Sequence, residues 1–179
     1  GGLQSNHARA TAAAAATLGL RCVLIINGAP QDRPTGNALL ERLLGAEIEY
    51  IPSRNERAEA TARVMARLQD EGAKPFLIPL GASTSTGAIG FVNAIGELVG
   101  QGVTPDVIVH AGSSGGTHAG LVAGAALMRL PTRIIAVSAD DPADQIAAGV
   151  QRIIRGIDEL DDFDGELEID DTRVGEGYG

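Results

Sequence analysis

At 179 residues, with 44% hydrophobic and 21% charged side chains, the chain has ordinary globular composition and is long enough for one large domain or two small ones. A formal net charge of -9 excludes the basic footprint that nucleic acid or an anionic membrane surface selects. Aromatic residues make up only 3%, which leaves no base-stacking platform and hands the core to Ala, Val, Ile and Leu.

From Asp158 onward ten carboxylates stand against Arg173 alone, so the whole net charge lies at the C-terminal end. Such a run reads as solvated acidic surface. The single Cys22 excludes a disulfide or a cysteine metal cluster, fits a reducing compartment and reads as core filler. No apolar run approaches the roughly 18 residues that span a membrane, and no secretory signal is visible, so the expectation is a soluble, cytoplasmic chain. It starts on Gly1-Gly2 and ends on Gly179, and both ends read as cut from something longer.

In chain order, an alanine-rich helix is expected over 6–18 with Gly19 as its stop, then a strand over 21–27. A helix over 37–44 carries Leu39, Leu40, Leu43 and Leu44 before Gly45, and a strand follows over 47–51. A helix over 55–69 turns Val64, Met65 and Leu68 inward, and 76–80 reads as a strand. The Gly/Ser/Thr stretch 81–90 marks the internal boundary, dividing the chain into 1–85 and 86–179. Beyond it come a helix over 87–99, a strand over 106–110, a helix over 117–128, a strand over 133–138, a helix over 143–157 and a weak strand near 166–170. Strands alternating with helices of this length give βαβ units and the α/β class, with parallel sheets covered by helices on both faces. The runs Val107-Ile108-Val109 and Ile134-Ile135-Ala136-Val137 are apolar on both faces, as in central strands.

The richest segment is 106–124, DVIVHAGSSGGTHAGLVAG. A strand ends in a Gly/Ser loop that turns straight into a helix, at the sheet edge where parallel α/β folds bind ligands and where free N–H groups and a positive dipole end meet an anion. Ser114, Gly115 and Gly116 allow close backbone approach to a phosphate, and Thr117 can add a hydroxyl while capping the helix. The bland alternative is a tight turn with no ligand. A Walker loop is excluded, because the only lysine, Lys74, precedes Pro75. The spacing of Gly115, Gly116 and Gly120 is wrong for a dinucleotide fingerprint. A G-x-S-x-G elbow is formally present over 112–116, but the only later histidine is His118, inside the helix, so a hydrolase is poorly supported.

Ser5, Asn6 and His7 head the first helix behind a glycine turn, a polar cluster that capping alone does not explain. The loop 81–87, GASTSTG, opens another helix. His110 reads as a hydrogen-bonded core residue in its strand, while His7 and His118 are balanced between helix surface and site. Three scattered histidines and one cysteine make no metal site.

The stretch GGLQSNHAR over 1–9, IPLGAS over 78–83 with GAIGFV over 87–92, GTHAGL over 116–121 and GEGYG over 175–179 resemble the pyridoxal-phosphate enzymes of the D-cysteine desulfhydrase and 1-aminocyclopropane-1-carboxylate deaminase group. The motifs occur in order over essentially the whole chain. The resemblance implies a tryptophan-synthase β-like fold, pyridoxal 5'-phosphate as cofactor, a small amino acid as substrate and a homodimeric parent, with neither nucleic acid nor membrane as partner. Within the group, His7 and His118 look more like D-cysteine desulfhydrase and L-cysteate sulfo-lyase, since the deaminases carry glutamine at these places.

The resemblance assigns Asn6 to the cofactor's ring oxygen and Ser5 to the substrate side, where it can assist proton transfer. It assigns Gly115, Gly116 and Thr117, with Ser114 beside them, to the phosphate, and Tyr178 to a place beside the cofactor. The implied chemistry is α-proton removal and β-elimination, giving pyruvate, ammonia and sulfide or sulfite, with the cofactor as electron sink. The family's Schiff-base lysine is expected upstream of Gly1. Of the two amines present, Lys74 is expected at the sheet edge away from the ligand loops and Gly1 at a mobile, solvated terminus. A non-catalytic module that binds a phosphate ligand through the same loop is the alternative of another class.

Overall fold

A computed structural model describes residues 1–139 and 141–174. Two compact units divide the chain, Gly1–Ile78 and Pro79–Gly179.

In the first unit, α1 (Asn6–Thr17) is nearly all alanine in its second half, the residue that loses least on entering a helix. Ser5 begins it, its Oγ accepting from the Ala8 amide at 3.1 Å. Gly19, at φ +67°, ends it. The Gly19 N–H bonds Ala16 O and the Leu20 N–H bonds Ala15 O, the paired closure that a left-handed residue permits. Next come β1 (Val23–Asn27), α2 (Gly36–Leu43), β2 (Glu47–Ile51) and α3 (Arg57–Asp70). Strands β1 and β2 pair in parallel from Val23–Glu47 to Asn27–Ile51, and Gly2 forms a further parallel bridge to Asn27. The segment before α1 is thus a strand end, and Ser5 follows it as a loop at the carboxyl edge of this small sheet. Ala8, Ala12, Leu24 and Ile26 form the core, with Cys22 packed at its margin.

In the second unit, α4 (Ser85–Gly100) and α5 (Gly116–Leu127) alternate with β3 (Val107–Gly112) and β4 (Arg133–Ser138), followed by α6 (Ala143–Arg155) and β5 (Glu168–Asp170). The three strands are parallel in the order β3-β4-β5. Small residues let α5 approach its neighbours closely: a Cβ on Gly120 would strike Ala88 O and the Phe91 Cβ, and one on Gly124 would strike Ile95. Ala88, Ala119, Ile146, Val150, Ile153 and Ile154 form the core between α4, α5 and α6.

The α/β class read from the sequence holds, with three corrections. Residues 76–78 form no strand, and Leu80 lies in a short 3-10 turn. Pro75 and Pro79 bracket the run, each removing a ladder N–H and restricting the residue before it; Phe76 is left 87% exposed. Among the described residues, β3 pairs with β4 alone and so lies at an edge rather than the centre, with Val107 and Val109 exposed, while β4 lies between β3 and β5. Three carboxylates of the acidic end are structural rather than merely solvated. Glu168 pairs with Arg133 at 2.6 Å, Asp170 accepts from Thr172, and Asp171 accepts from the Ala143 amide at the start of α6 at 2.8 Å. Among the described residues, no helix is long and apolar enough to cross a membrane.

Candidate active site

The sequence-predicted residues fall into two groups. Ser5 and Asn6 belong to the first unit, Ser114, Gly115, Gly116 and Thr117 to the second. Tyr178 lies outside the described residues.

In the second unit, β3 runs out through Gly112 into a loop that enters α5 at Gly116. Gly115 is the residue before the helix, at φ +84° and ψ -14°. This left-handed turn costs an L-residue roughly 1–2 kcal/mol and a glycine almost nothing, and it lets the chain reverse from strand to helix within three residues. Having no side chain, Gly115 caps nothing. Helix geometry leaves the first N–H groups of α5, those of Gly116, Thr117 and His118, without a carbonyl one turn back. Thr117 is therefore the second helical residue, not the cap that the sequence suggested.

Ser114, the neighbouring hydroxyl that could have capped the helix, is bonded elsewhere: Ser83 Oγ donates to Ser114 Oγ at 2.7 Å. Ser83 also touches the loop at Gly116, where a Cβ would come within 2.8 Å of the Ser83 Oγ. An open pocket of about 160 Å³ results, lined by residues 110–118 and Gly81. Among the described residues it is lined by no lysine or arginine, and its ionisable side chains are His110 and His118. The uncapped helix start, the backbone bared by glycine and the Thr117 hydroxyl fit a phosphate group.

The two histidines were weighed separately in the sequence, and their pairing was missed. Nε2 of His110 lies 3.0 Å from Nδ1 of His118, with the rings tilted by 32°. His118 is fully buried, which depresses its pKa to about 4, with the neighbouring His110 adding to the effect. Burial also lowers that of His110. Helix α5 is built from small apolar residues on every side, the pattern of a helix enclosed by protein; that was the signal available for the burial of His118.

In the first unit, Asn6 Oδ1 accepts from Asn37 Nδ2 at 2.9 Å, and the same Asn37 amide donates to Gln4 O. Since the oxygen end of Asn6 is bonded, its Nδ2 end has donors to offer a ligand oxygen. Ser5 Oγ accepts the Ala8 amide, which leaves its own hydroxyl proton to donate. The Gly1 nitrogen, expected at a mobile and solvated end, donates to Ile25 O at 2.8 Å. Lys74 stands exposed in an irregular segment, so the strand edge on which the sequence placed it does not exist.

The comparisons converge. A family model described as "Pyridoxal-phosphate dependent enzyme" matches residues 2–179. The chain is 33% identical over 190 residues to D-cysteine desulfhydrase of Klebsiella pneumoniae, covering 100% of this chain and 58% of that protein. It is 35% identical over 195 residues to 1-aminocyclopropane-1-carboxylate deaminase of Methylobacterium sp., covering 99% and 56%. The crystal structure of an ACC deaminase homologue superposes with a TM-score of 0.83 at 31% identity, covering 95% of this chain and 53% of that one. The chain thus spans about half the length of the curated relatives it matches. With a family match over residues 2–179, the chain belongs to the pyridoxal-phosphate dependent enzyme family.

Proposed function

We propose that these residues are part of a pyridoxal-phosphate-dependent lyase that performs β-elimination on a small sulfur-containing amino acid, in the manner of D-cysteine desulfhydrase. The observation that carries the reading is the pocket at the start of α5, uncapped and free of fixed positive charge, in a chain of this family. When bound, the cofactor supplies an electron sink for the charge left at the substrate's α-carbon.

The chain's own residues divide the remaining work. The amides of Gly115, Gly116 and Thr117, with the Thr117 hydroxyl, hold the phosphate, and Ser114 positions the loop through Ser83. Asn6 donates from Nδ2 to the ring oxygen. Ser5 faces the substrate and hands on a proton from its hydroxyl. His118 and His7 favour sulfur chemistry over ring-opening deamination by the resemblance already described; L-cysteate and 1-aminocyclopropane-1-carboxylate are the rival substrates.

The 179 residues alone are expected not to turn over. Covalent anchoring and α-proton transfer need a desolvated amine near the cofactor's aldehyde. Lys74 is exposed, and the Gly1 amine is engaged with Ile25 O.

The test compares ammonia release from D-cysteine, L-cysteate and 1-aminocyclopropane-1-carboxylate, alongside binding of pyridoxal phosphate and of pyridoxal. Binding that requires the phosphate supports the pocket assignment. Equal binding of pyridoxal overturns it, and turnover by the 179 residues above free cofactor overturns the assignment of the essential amine to other residues.

A further inference from the structure

Among the described residues, the pocket assigned to the phosphate is lined by no lysine or arginine, yet a phosphate monoester carries close to two negative charges at neutral pH. Its lining offers one other source of positive charge, the histidine pair, and the bonding of that pair is directional. Ala111 O lies 2.9 Å from His110 Nδ1. A carbonyl only accepts, so the His110 proton is on Nδ1 and Nε2 is an acceptor. His118 Nδ1, 3.0 Å from that Nε2, must then be the donor. This assigns a bare lone pair to His118 Nε2, which is buried and without a hydrogen-bond partner. It is the one ring nitrogen of the pair that can accept a proton without breaking an existing bond.

We propose that the His110–His118 pair is a proton-uptake device for the phosphate pocket, His118 Nε2 binding one proton when a dianion occupies the start of α5. The proposal rests on the phosphate assignment made above. Before the anion arrives, a cation on the first turn of α5 is opposed by burial and by the positive end of the helix dipole, and His118 stays neutral. The anion reverses that local field. Among the elements packed on α5, β3 contributes His110, and β5 contributes Glu168, whose charge favours a cation on His118; Glu168 is itself paired with Arg133 of β4. Helix α4 presents Ala88, Phe91 and Ile95, and α6 presents Ile146 and Val150, so neither brings charge to the pair.

Sulfate is the suitable probe because it keeps two charges across the whole pH range used and titrates nothing itself. The histidine ring nitrogens of the 179-residue chain are followed by NMR from pH 4 to 8, in sulfate and in chloride of equal ionic strength. The expected result is an Nδ1–H tautomer on both rings and a His118 pKa raised by about 1–3 units in saturating sulfate. By reciprocity, sulfate then binds about 10- to 1000-fold more tightly at pH values where His118 is protonated than where it is neutral. In His118→Gln that pH dependence disappears. An Nε2–H tautomer on His118 overturns the proposal without reference to any ligand. Bound sulfate that leaves the His118 titration unmoved overturns it while leaving the phosphate assignment standing, whereas failure of sulfate to bind at all overturns both.

Discussion

Ser83 Oγ donates a 2.7 Å hydrogen bond to Ser114 Oγ, joining the turn before α4 to the loop before α5. The bond engages the Ser114 hydroxyl two residues before α5, which starts without a side-chain cap at Gly115. Both sides of the contact depend on missing side chains, since a Cβ on Gly81 would strike Ser114 and one on Gly116 would strike Ser83. Ser83→Ala and Ser114→Ala should each cost about 0.5–1.5 kcal/mol. The double variant should cost no more than either alone, as read by chemical denaturation. Fully additive losses would show that the two hydroxyls do not act on each other.

Gly116→Ala is expected to weaken phosphate-dependent cofactor binding more than it weakens the fold. The new methyl would come within 2.8 Å of the Ser83 Oγ and 3.2 Å of the Ser83 Cα, so either Ser83 or the loop must move. Gly120→Ala, one turn further along, meets the Ala88 carbonyl and the Phe91 Cβ. There the cost is overpacking between two helices, about 1–3 kcal/mol. Calorimetric melting beside a pyridoxal phosphate titration separates the two variants, and a Gly116→Ala protein with unaltered cofactor affinity would remove the close-approach argument.

The sequence made the α/β class legible because glycines punctuate it at helix ends and β-branched runs fill the strands. It misled at 76–80, where apolar character was read without the two prolines that deny the run a ladder. It also misled at Val107-Ile108-Val109, because an apolar strand looks alike at the centre of a sheet and at an edge with one face uncovered. The glycine turn into α5 could be read from its small residues, whereas the His110–His118 pair could not be read from spacing alone. Those residues meet because β3 leads directly into α5, so the end of the strand and the first turn of the helix share one edge of the sheet. The bond from Asp171 to the Ala143 amide joins residues too far apart in sequence for any capping pattern to show.

Thr117→Val keeps the shape of the second residue of α5 and removes its hydroxyl. Loss of a hydrogen bond to a charged group should weaken cofactor binding by about 1.5–3 kcal/mol, measured on the intact parent by equilibrium titration. Asn6→Ala should act differently, altering the absorption spectrum of the bound cofactor more than its affinity, since the Asn6 amide is assigned to the ring oxygen. A Thr117→Val protein that binds as tightly as the unaltered one would take the hydroxyl out of the site.

Glu41 sets a pH dependence of stability at a distance from any phosphate chemistry. It lies in α2 of the first unit, 1% exposed, with Oε1 lacking a hydrogen-bond partner. Burial raises its pKa above the ordinary 4.5. The folded chain therefore binds the Glu41 proton more tightly than the unfolded chain does. The stability this contributes is fully present below pH 4.5 and is lost as pH rises through the folded-state value. Glu41→Gln removes this effect. Its melting temperature should lie closest to that of the unaltered chain below pH 4.5 and exceed it by a growing margin as pH rises through the Glu41 titration. Melting curves that run parallel from pH 4 to 8 would mean that Glu41 is as well solvated in the folded chain as in the unfolded one.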